Sequence, residues 1–454
     1  MRDVIESWDQ LVTAGGAAEC GTLANAMRAR RLTFGGRLLC PFLRPFFLES
    51  RDQARVAEAA ETLWTLGERI AQAAMQDQSL LSDLVLSEAE IALARIDPRY
   101  QTTSTAARAD AFLLPGSLRF AEYNGESPAG AGYSQGLAEV FGETTMMARF
   151  RERFDARMFH PVDRLLDALV AGYREWGGVE PAPLVAIVDW REVPTYSEFE
   201  LLRDAFVARG VPTIVCDPRD LTHAESSAAG AAGLYVAGRR VDLVYRRVLI
   251  NDIIARRDEC AALLTAYERG TVCVANSLRC KIPHKKAFFA VLTDERRAGL
   301  FSAAERALIA RHVPWTAVVR EGTVRRDGAD IDLLRYLRQH RERLVLKPND
   351  EYGGTGVTLG WEVSESDWEQ AIARGVREGD RGWVAQERIE VRRELFPVCT
   401  DAGGAPEIVM RDMLVDFAPY VFRGKLAGFL TRLSATGLAN VTSGGGQVPA
   451  FVVG

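Results

Sequence analysis

The sequence predicts an α/β protein with additional α+β elements, and three observations lead to this prediction. Leu184–Val188 and Thr213–Cys216 have the pattern of buried strands on either side of a helix that ends at Gly210, which is typical of a parallel sheet. Apolar residues recur every three or four positions over 52–78, as in an amphipathic helix. Strand-like segments separated by turn residues return near the C-terminus, over 413–433.

The composition is that of an ordinary globular protein of two to four domains. The chain has 454 residues, 48% hydrophobic and 26% charged, with a net charge of −5. No basic tail or patch is present, so we expect no nucleic-acid partner. No apolar run approaches the roughly 18 residues that a membrane span needs, so we expect no membrane partner.

The cysteines indicate a reducing compartment. Their number is odd and no C-x-x-C pair occurs, and with five scattered histidines they do not fit a zinc site. The N-terminus, MRDVIESWDQL, has no basic segment followed by an apolar one, as a secretory signal would. We therefore predict a cytoplasmic protein whose thiols are reduced and lie in the core. The seven are Cys20, Cys40, Cys216, Cys260, Cys273, Cys280 and Cys399.

The N-terminal part is predicted to be helical. Residues 1–50 contain a basic and aromatic segment that fits either a binding edge or a packed lead-in, and we favour packing. The helix over 52–78 is followed by a second predicted helix over 81–94 and a third near 131–155.

A predicted hairpin over 108–130 places three oxygen-bearing side chains together. Glu122 and Asn124 are two residues apart on a strand and share a face, and Asp110 lies on the neighbouring strand. Such oxygen donors suit Mg²⁺, which usually shares its shell with substrate phosphates. The alternative is that these are solvated side chains at the end of a hairpin.

After a Gly- and Pro-containing linker at 176–183, the strand–helix–strand unit begins. Ser197 and Glu200 have the spacing of a capping box at the start of its helix. A hairpin is predicted around Gly238, between Leu234–Val236 and Val241–Tyr245. The first strand lacks a G-x-G-x-x-G sequence, so this Rossmann-like layer has no dinucleotide fingerprint.

A glycine loop in the second half of the chain is suited to phosphate. After a helical stretch over 276–311, the strand Leu344–Leu346 runs into Lys347, and the return strand is Val357–Leu359. The loop between them has no Walker or protein-kinase motif, yet its glycines expose backbone N–H groups. A surface hairpin with a solvated lysine is the alternative. The loop residues are Gly353, Gly354, Thr355 and Gly356.

Two further polar residues follow near the C-terminus. A helix at 366–378 and a strand at Trp383–Gln386 come first. Arg432 then ends a strand, where it could hold a phosphoryl group or form a surface ion pair. Asn440 fits either a nucleotide contact or a turn.

These parts together resemble the ATP-grasp superfamily. The resemblance rests on Lys347 with its glycine loop, the segment Val384–Ile389, the order Arg432…Asn440…Gly-Gly, and the motif Asp110…Glu122-x-Asn124. In ordinary members the metal motif comes last, whereas here it comes first. That order resembles circularly permuted ATP-grasp proteins and the synthetase domain of glutathionylspermidine synthetase.

The resemblance implies a domain order and a Mg²⁺ and ATP site. It implies an N-terminal helical segment (1–100), the metal-motif part of the ATP-grasp domain (101–175), a Rossmann-like pre-ATP-grasp domain (176–280) and nucleotide-binding subdomains (281–454). Mg²⁺ would be bound by Asp110, Glu122 and Asn124.

The resemblance also implies ATP contacts. Phosphates would contact Lys347 and the glycine loop, adenine would contact Gln386, Glu387 and Ile389, and Arg432 would steady the transferring phosphoryl group with Asn440 nearby. For the second nucleotide lysine, Lys281, Lys285 and Lys286 compete, and Lys286 is preferred. Glu390 or Glu394 would bind the ribose.

The activity that the resemblance implies is ADP-forming ligation of a carboxylate and an amine through an acyl phosphate. The alternatives are an ATP-dependent phosphotransferase and a non-catalytic nucleotide-binding protein. Small-molecule or peptide substrates would be bound where strands of the Rossmann-like layer end, with Arg246, Arg247 and Asn251 as candidates. The sequence leaves open whether the chain forms a homo-oligomer.

Overall fold

The computed structural model describes residues 1–225, 232–379, 381–402, 405–435 and 445–454. It confirms the mixture of helices and sheets that the sequence predicts. No helix among the described residues combines the length and the apolar character needed to cross a membrane.

The N-terminal segment is largely helical and packs into the main core. Phe46 and Phe47 are buried there, which confirms packing rather than a free binding edge. The predicted helix over 81–94 is two helices, because Val85 adopts a left-handed conformation and Ser87 forms a capping box that starts a new helix. The elements are α1 (Arg2–Gly15), α2 (Ala18–Ala29), β1 (Thr33–Phe34), β2 (Arg37–Leu38), β3 (Phe46–Glu49), α3 (Ser50–Ala74), α4 (Gln78–Leu84) and α5 (Glu88–Arg95).

The predicted metal-motif hairpin is present and is followed by helices. Its strands pair antiparallel, with Asp110 opposite Glu122 and a bulge after Asp110. The helix predicted near 131–155 is divided in two. The elements are β4 (Ala106–Leu114), β5 (Ser117–Asn124), α6 (Ala131–Gly142), α7 (Thr145–Phe150), β6 (Ala156–Arg157) and α8 (Pro161–Glu175).

The Rossmann-like layer is a four-stranded parallel sheet in the order β13-β12-β7-β8. The hairpin at Gly238 joins β10 to β11, not to β12 as predicted, because β12 belongs to the parallel sheet. The elements are β7 (Val185–Val188), α9 (Tyr196–Ala208), β8 (Thr213–Cys216), β9 (Leu221–Ala224), β10 (Gly233–Val236), β11 (Arg239–Val241), β12 (Leu243–Arg246), α10 (Ile250–Ala255), α11 (Ala261–Arg269) and β13 (Cys273–Ala275).

A four-stranded sheet in the order β14-β19-β17-β18 carries the glycine loop between β17 and β18. The predicted helical stretch over 276–311 is three short α-helices, with a break after His284. The elements are α12 (Lys281–His284), α13 (Ala287–Thr293), α14 (Ala303–His312), β14 (Thr316–Val318), β15 (Thr323–Arg326), β16 (Ala329–Asp332), α15 (Leu333–Gln339), β17 (Leu344–Pro348), β18 (Thr358–Leu359), α16 (Glu365–Arg377) and β19 (Trp383–Glu387).

The largest sheet joins the two ends of the chain. Its order is β23-β22-β21-β4-β5, with β20 paired to β21, so the metal-motif hairpin continues a sheet built from the last 60 or so residues. A smaller sheet pairs β24 in parallel with β3. The elements are β20 (Arg392–Ala402), β21 (Ala405–Phe422), β22 (Lys425–Ser434), β23 (Gly446–Val448) and β24 (Ala450–Val453).

Two further sequence predictions are wrong in detail. Ser197 does not cap α9, because the helix begins one residue earlier and the Ser197 hydroxyl donates to the Thr33 carbonyl. The thiols are not all reduced, because Cys20 of α2 and Cys399 of β20 form a disulfide. The other five cysteines are free and buried, as predicted for core residues.

Candidate active site

A cavity that is open to solvent lies between the largest sheet and the sheet that carries the glycine loop. Its walls come from residues 110–122, 286, 345–361, 386–391 and 416–432, so widely separated parts of the chain meet there. Most of the predicted site residues line it: Asp110, Glu122, Lys286, Lys347, Gly353, Gly354, Thr355, Gln386, Glu387, Ile389 and Arg432.

The three residues of the predicted metal motif are close together at one side of this cavity. Asp110 and Glu122 line it, and the Asn124 amide donates to Glu122 Oε1 across 3.2 Å. Glu122 is the more accessible carboxylate, with an exposed fraction of 23% against 8% for Asp110. These oxygen donors fit a hard divalent cation.

Asp110 is the centre of a buried charge network. Arg108 Nε donates to its Oδ1 across 2.7 Å, and Arg432 Nη2 donates to its Oδ2 across 2.6 Å. Arg432 also donates to Asp416, which it faces across β21 and β22. Burial raises the pKa of Asp110, but the two arginines outweigh it and hold this pKa well below its usual range.

Asp416 is a site residue that the sequence did not reveal. Burial raises its pKa to about 7, against the attraction of Arg432. Its Oδ1 atom is buried and has no hydrogen-bond partner among the described residues, although the residue lines the cavity. An unpaired buried oxygen close to the Asp110 carboxylate is a feature that a bound cation or hydrogen-bond donor would satisfy.

Two lysines supply positive charge to the same cavity. Lys347 Nζ donates to Gln386 Oε1 (2.7 Å) and to the Ala121 carbonyl (3.3 Å), and burial lowers its pKa to about 8. Lys286 Nζ lies 3.4 Å from Glu122 Oε2 and donates to the Glu351 carbonyl. Of the three competing lysines, Lys286 is the one that lines the cavity.

The glycine loop forms an exposed flap over the cavity, defined here as residues 351–356. Gly353, Gly354 and Gly356 have positive φ angles of 66°, 78° and 74°, which favour glycine. Gly356 faces a second cavity on the other side of the flap. Backbone N–H groups in such a loop are unhindered by side chains and can approach phosphate oxygens.

The segment 386–391 begins with the last two residues of β19 and forms the apolar end of the cavity. Ile389, Val391, Phe112 and Leu359 lie here with Trp361, giving a surface on which a flat ring can pack. The side chain of Glu387 forms an ion pair with Arg326, so this carboxylate already has a charged partner within the protein. Its backbone N–H donates to the Trp315 carbonyl.

Several predicted residues lie elsewhere. Arg246 and Arg247 are buried and donate to backbone carbonyls of Val248 and Pro128, so neither is an open carboxylate clamp. Asn251 donates to Asp350 and lines the second cavity.

Of the two candidate ribose acids, Glu394 forms ion pairs with Arg44 and Arg392. Neither Glu390 nor Glu394 lines the cavity of the flap. Asn440 falls outside the described residues.

One cluster has the spacing of metal ligands but already contains a cation. Potential ligand atoms of Glu126, His284 and Asp350 lie within 4.8 Å of one another. The ammonium of Lys281 lies between the two carboxylates, 3.1 Å from Glu126 and 2.8 Å from Asp350. This cluster is therefore an internal ion network.

Comparisons with known proteins agree with this architecture. A family model described as circularly permuted ATP-grasp type 2 matches residues 71–441. The uncharacterized protein Rv2411c of Mycobacterium tuberculosis (strain ATCC 25618 / H37Rv) is 24% identical over 353 residues, covering 74% of this chain and 58% of that protein. The uncharacterized protein sll0335 of Synechocystis sp. (strain ATCC 27184 / PCC 6803 / Kazusa) is 25% identical over 328 residues, covering 68% and 61%.

The chain thus spans less than two thirds of the length of these curated relatives. Among solved structures, the apo form of a glutathione synthetase-like effector (GSS30) from Globodera pallida superposes with a TM-score of 0.60. The two are 12% identical, and the match covers 96% of this chain and 97% of that chain. This likeness shows a shared fold and confirms the fold predicted from the sequence.

Proposed function

Because the chain belongs to the circularly permuted ATP-grasp type 2 family, we propose that it is an ATP- and Mg²⁺-dependent carboxylate–amine ligase. A substrate carboxylate accepts the terminal phosphoryl group of ATP, giving an acyl phosphate and ADP. An amine then forms the C–N bond as phosphate leaves and the amine loses a proton. One observation carries the proposal: a single cavity is lined by the glycine flap, two lysines, Arg432 and a group of carboxylates that includes Asp110, Glu122 and Asp416.

The cations of this chain have distinct roles in the proposal. Lys347 and Lys286, with the flap N–H groups, hold the phosphates of the nucleotide. Arg432 offsets the charge that develops on the phosphoryl group during transfer, and Asp416 keeps its guanidinium aimed at the cavity.

The carboxylates and the flap complete the site. Asp110 and Glu122, with Asn124 beside them, would hold Mg²⁺, which when bound neutralises phosphate charge. The flap is exposed and would cover the reacting groups, excluding water from the acyl phosphate. In this scheme positioning and charge neutralisation provide the catalysis, and no nucleophilic side chain is required.

Thermal melting tests the nucleotide site first. We expect MgATP to raise the melting temperature, ATP with a chelator to raise it less, and NADH to leave it unchanged, because a ligand bound by the folded state stabilises it by mass action. No shift at millimolar MgATP would contradict the proposal.

Product analysis then tests the reaction class. A ligase releases ADP only when both an acid and an amine are present. ADP release with the acid alone, accompanied by a stable phosphorylated product, would instead identify a phosphotransferase.

A further inference from the structure

The segment that leads into the flap is buried at its base and becomes exposed in the flap itself. Asn349 and Asp350 directly precede the flap. Asn349 is 1% exposed and Asp350 has a side-chain exposure of 14%, whereas residues 351–356 are all exposed. The cavity described above lies on one side of the flap, and the second cavity lies on the other. The flap thus has open space on both sides, whereas its base is buried.

Asp350 is attached to the body of the protein by charged groups. Its Oδ1 accepts from Lys281 Nζ across 2.8 Å, and its Oδ2 accepts from Lys285 Nζ across 2.9 Å. Asn251 Nδ2 adds a third hydrogen bond, of 3.0 Å, to Oδ2. Charge-assisted bonds from two almost fully buried lysines are stronger than neutral ones and fix the carboxylate in place.

The lysines are themselves fixed by carboxylates of other elements. Lys281 also donates to Glu126, which follows the metal-motif strand β5, and Lys285 donates to Glu90 of α5. Burial raises the pKa of Asp350 but the two lysines lower it more, so the carboxylate stays charged. The base of the flap is thus connected to the end of the strand that carries Glu122.

The neighbouring Asn349 attaches the same segment to Lys286. The backbone N–H of Lys286 donates to the Asn349 carbonyl across 2.9 Å, and the Asn349 N–H donates to the Gly382 carbonyl across 3.0 Å. Asn349 Oδ1 accepts from the Ala287 N–H at the start of α13. A displacement of residues 349–350 would therefore displace Lys286 as well.

We propose that Asp350 is a positioning residue that fixes the base of the flap, so that only residues 351–356 move when the nucleotide phosphates bind. This inference rests on the proposed function of the cavity. Asp350 lines the second cavity, on the far side of the flap from the proposed nucleotide site, and acts through the backbone of the flap and through Lys286. Its loss should weaken interactions with phosphates and leave those with adenosine intact.

The test uses Asp350→Asn, the milder Asn251→Ala, and Asp258→Asn as a matched control. Asp350→Asn leaves each lysine with a carboxylate partner, Glu126 for Lys281 and Glu90 for Lys285, so no buried charge is left unpaired. Asn251 is exposed, and its replacement by Ala removes only one hydrogen bond to Asp350. Asp258 is an exposed residue outside the hydrogen bonds that hold Asp350, and it undergoes the same chemical change.

The first measurement is hydrogen exchange of the 454-residue wild type and variants without nucleotide. We expect faster exchange at the amides of Lys286 and Asn349 in Asp350→Asn, a smaller increase in Asn251→Ala, and none in Asp258→Asn. Exchange at these amides that matches the wild type in both variants would overturn the inference. This measurement decides the role of Asp350 even if the proposed function fails.

The second measurement is calorimetric affinity for MgATP and for adenosine. We expect Asp350→Asn to bind MgATP about tenfold more weakly and adenosine within about twofold of the wild type. Equal losses for the two ligands, or none, would overturn the inference. A wild-type protein that binds neither would instead overturn the proposed function.

Discussion

The guanidinium of Arg432 donates to the carboxylate of Asp110 across 2.6 Å, although 322 residues separate them along the chain. The contact exists because β21 pairs with both β22 and β4, which brings strands from the last part of the chain beside the β4–β5 hairpin. The cavity is consequently complete only when β4 and β5 have joined β21 and β22 in one sheet.

Replacing Arg432 by Lys should reduce turnover by about a hundredfold, the range for removing one group that stabilises a transition state. A lysine keeps the charge but cannot contact both Asp110 and Asp416 with a planar fork of donors. Steady-state ADP release measures this change. Arg393→Lys is the control, because Arg393 forms an exposed ion pair with Asp412 on neighbouring strands. Similar effects of both substitutions would argue against a special role for Arg432.

Glu122→Ala should abolish Mg²⁺-dependent turnover and leave the fold intact. Glu122 is partly exposed at the cavity, and Lys286, its partner at 3.4 Å, still has the Glu351 carbonyl to bind. Circular dichroism and the melting temperature check the fold, and titration of the ATP complex with Mg²⁺ measures metal affinity separately from activity. Glu342→Ala is the control at a side chain that is 78% exposed. Full activity of Glu122→Ala would remove the metal assignment.

The sequence was sufficient for local structure where the physical signal is local. The strand at Thr213–Cys216 was predicted with its observed bounds, because a short apolar run ends at Asp217-Pro218. The glycine flap was also predictable, because its glycines lie between two strand patterns in the sequence. The positive φ angles of this loop explain why glycine occupies these positions. The cavity residues could be predicted as a group only through the resemblance to the ATP-grasp superfamily, which rests on four motifs in cyclic order.

Features that depend on tertiary pairing were not predictable. Asp416 lies in the middle of an 18-residue strand, and only the pairing of β21 with β22 places it opposite Arg432. The choice among Lys281, Lys285 and Lys286 depends on the helix break after His284, which directs Lys285 to Glu90 and Lys286 to the cavity. The disulfide joins residues 379 positions apart, a separation at which spacing carries no information.

The disulfide between Cys20 and Cys399 should stabilise the protein by about 2–4 kcal/mol relative to the reduced chain. The physical reason is that the bond restricts the unfolded chain by joining α2 to β20. Unfolding in guanidinium with and without reductant measures the difference, and Cys20→Ala with Cys399→Ala should make stability insensitive to reductant. Titration of thiols in the unfolded, unreduced protein should give five, and a result of seven would contradict the bond.

Lys347 should make nucleotide binding dependent on pH near 8. Burial lowers its pKa from 10.5 to about 8, so in the free protein the ammonium is lost as the pH rises through 8. For the same reason the charged lysine costs stability in full below pH 8, and that cost is relieved between about pH 8 and 10.5, where the unfolded state binds more protons. Phosphate binding favours the ammonium, and we therefore expect ATP to bind with uptake of about half a proton at pH 8.

Calorimetry of ATP binding in buffers of different ionisation enthalpy measures this uptake directly. Lys347→Met should abolish it and weaken ATP binding by about 1–3 kcal/mol, the range for losing charge-assisted hydrogen bonds. The same variant should be more stable than the wild type at pH 7, where the wild type carries a partly buried charge whose two bonded partners are the uncharged Gln386 and Ala121 oxygens. Lys425→Met is the control, because Lys425 is 82% exposed. Proton uptake that persists in Lys347→Met would assign the titration to another group of the cavity. The first candidate would then be Asp416, whose pKa is raised to about 7.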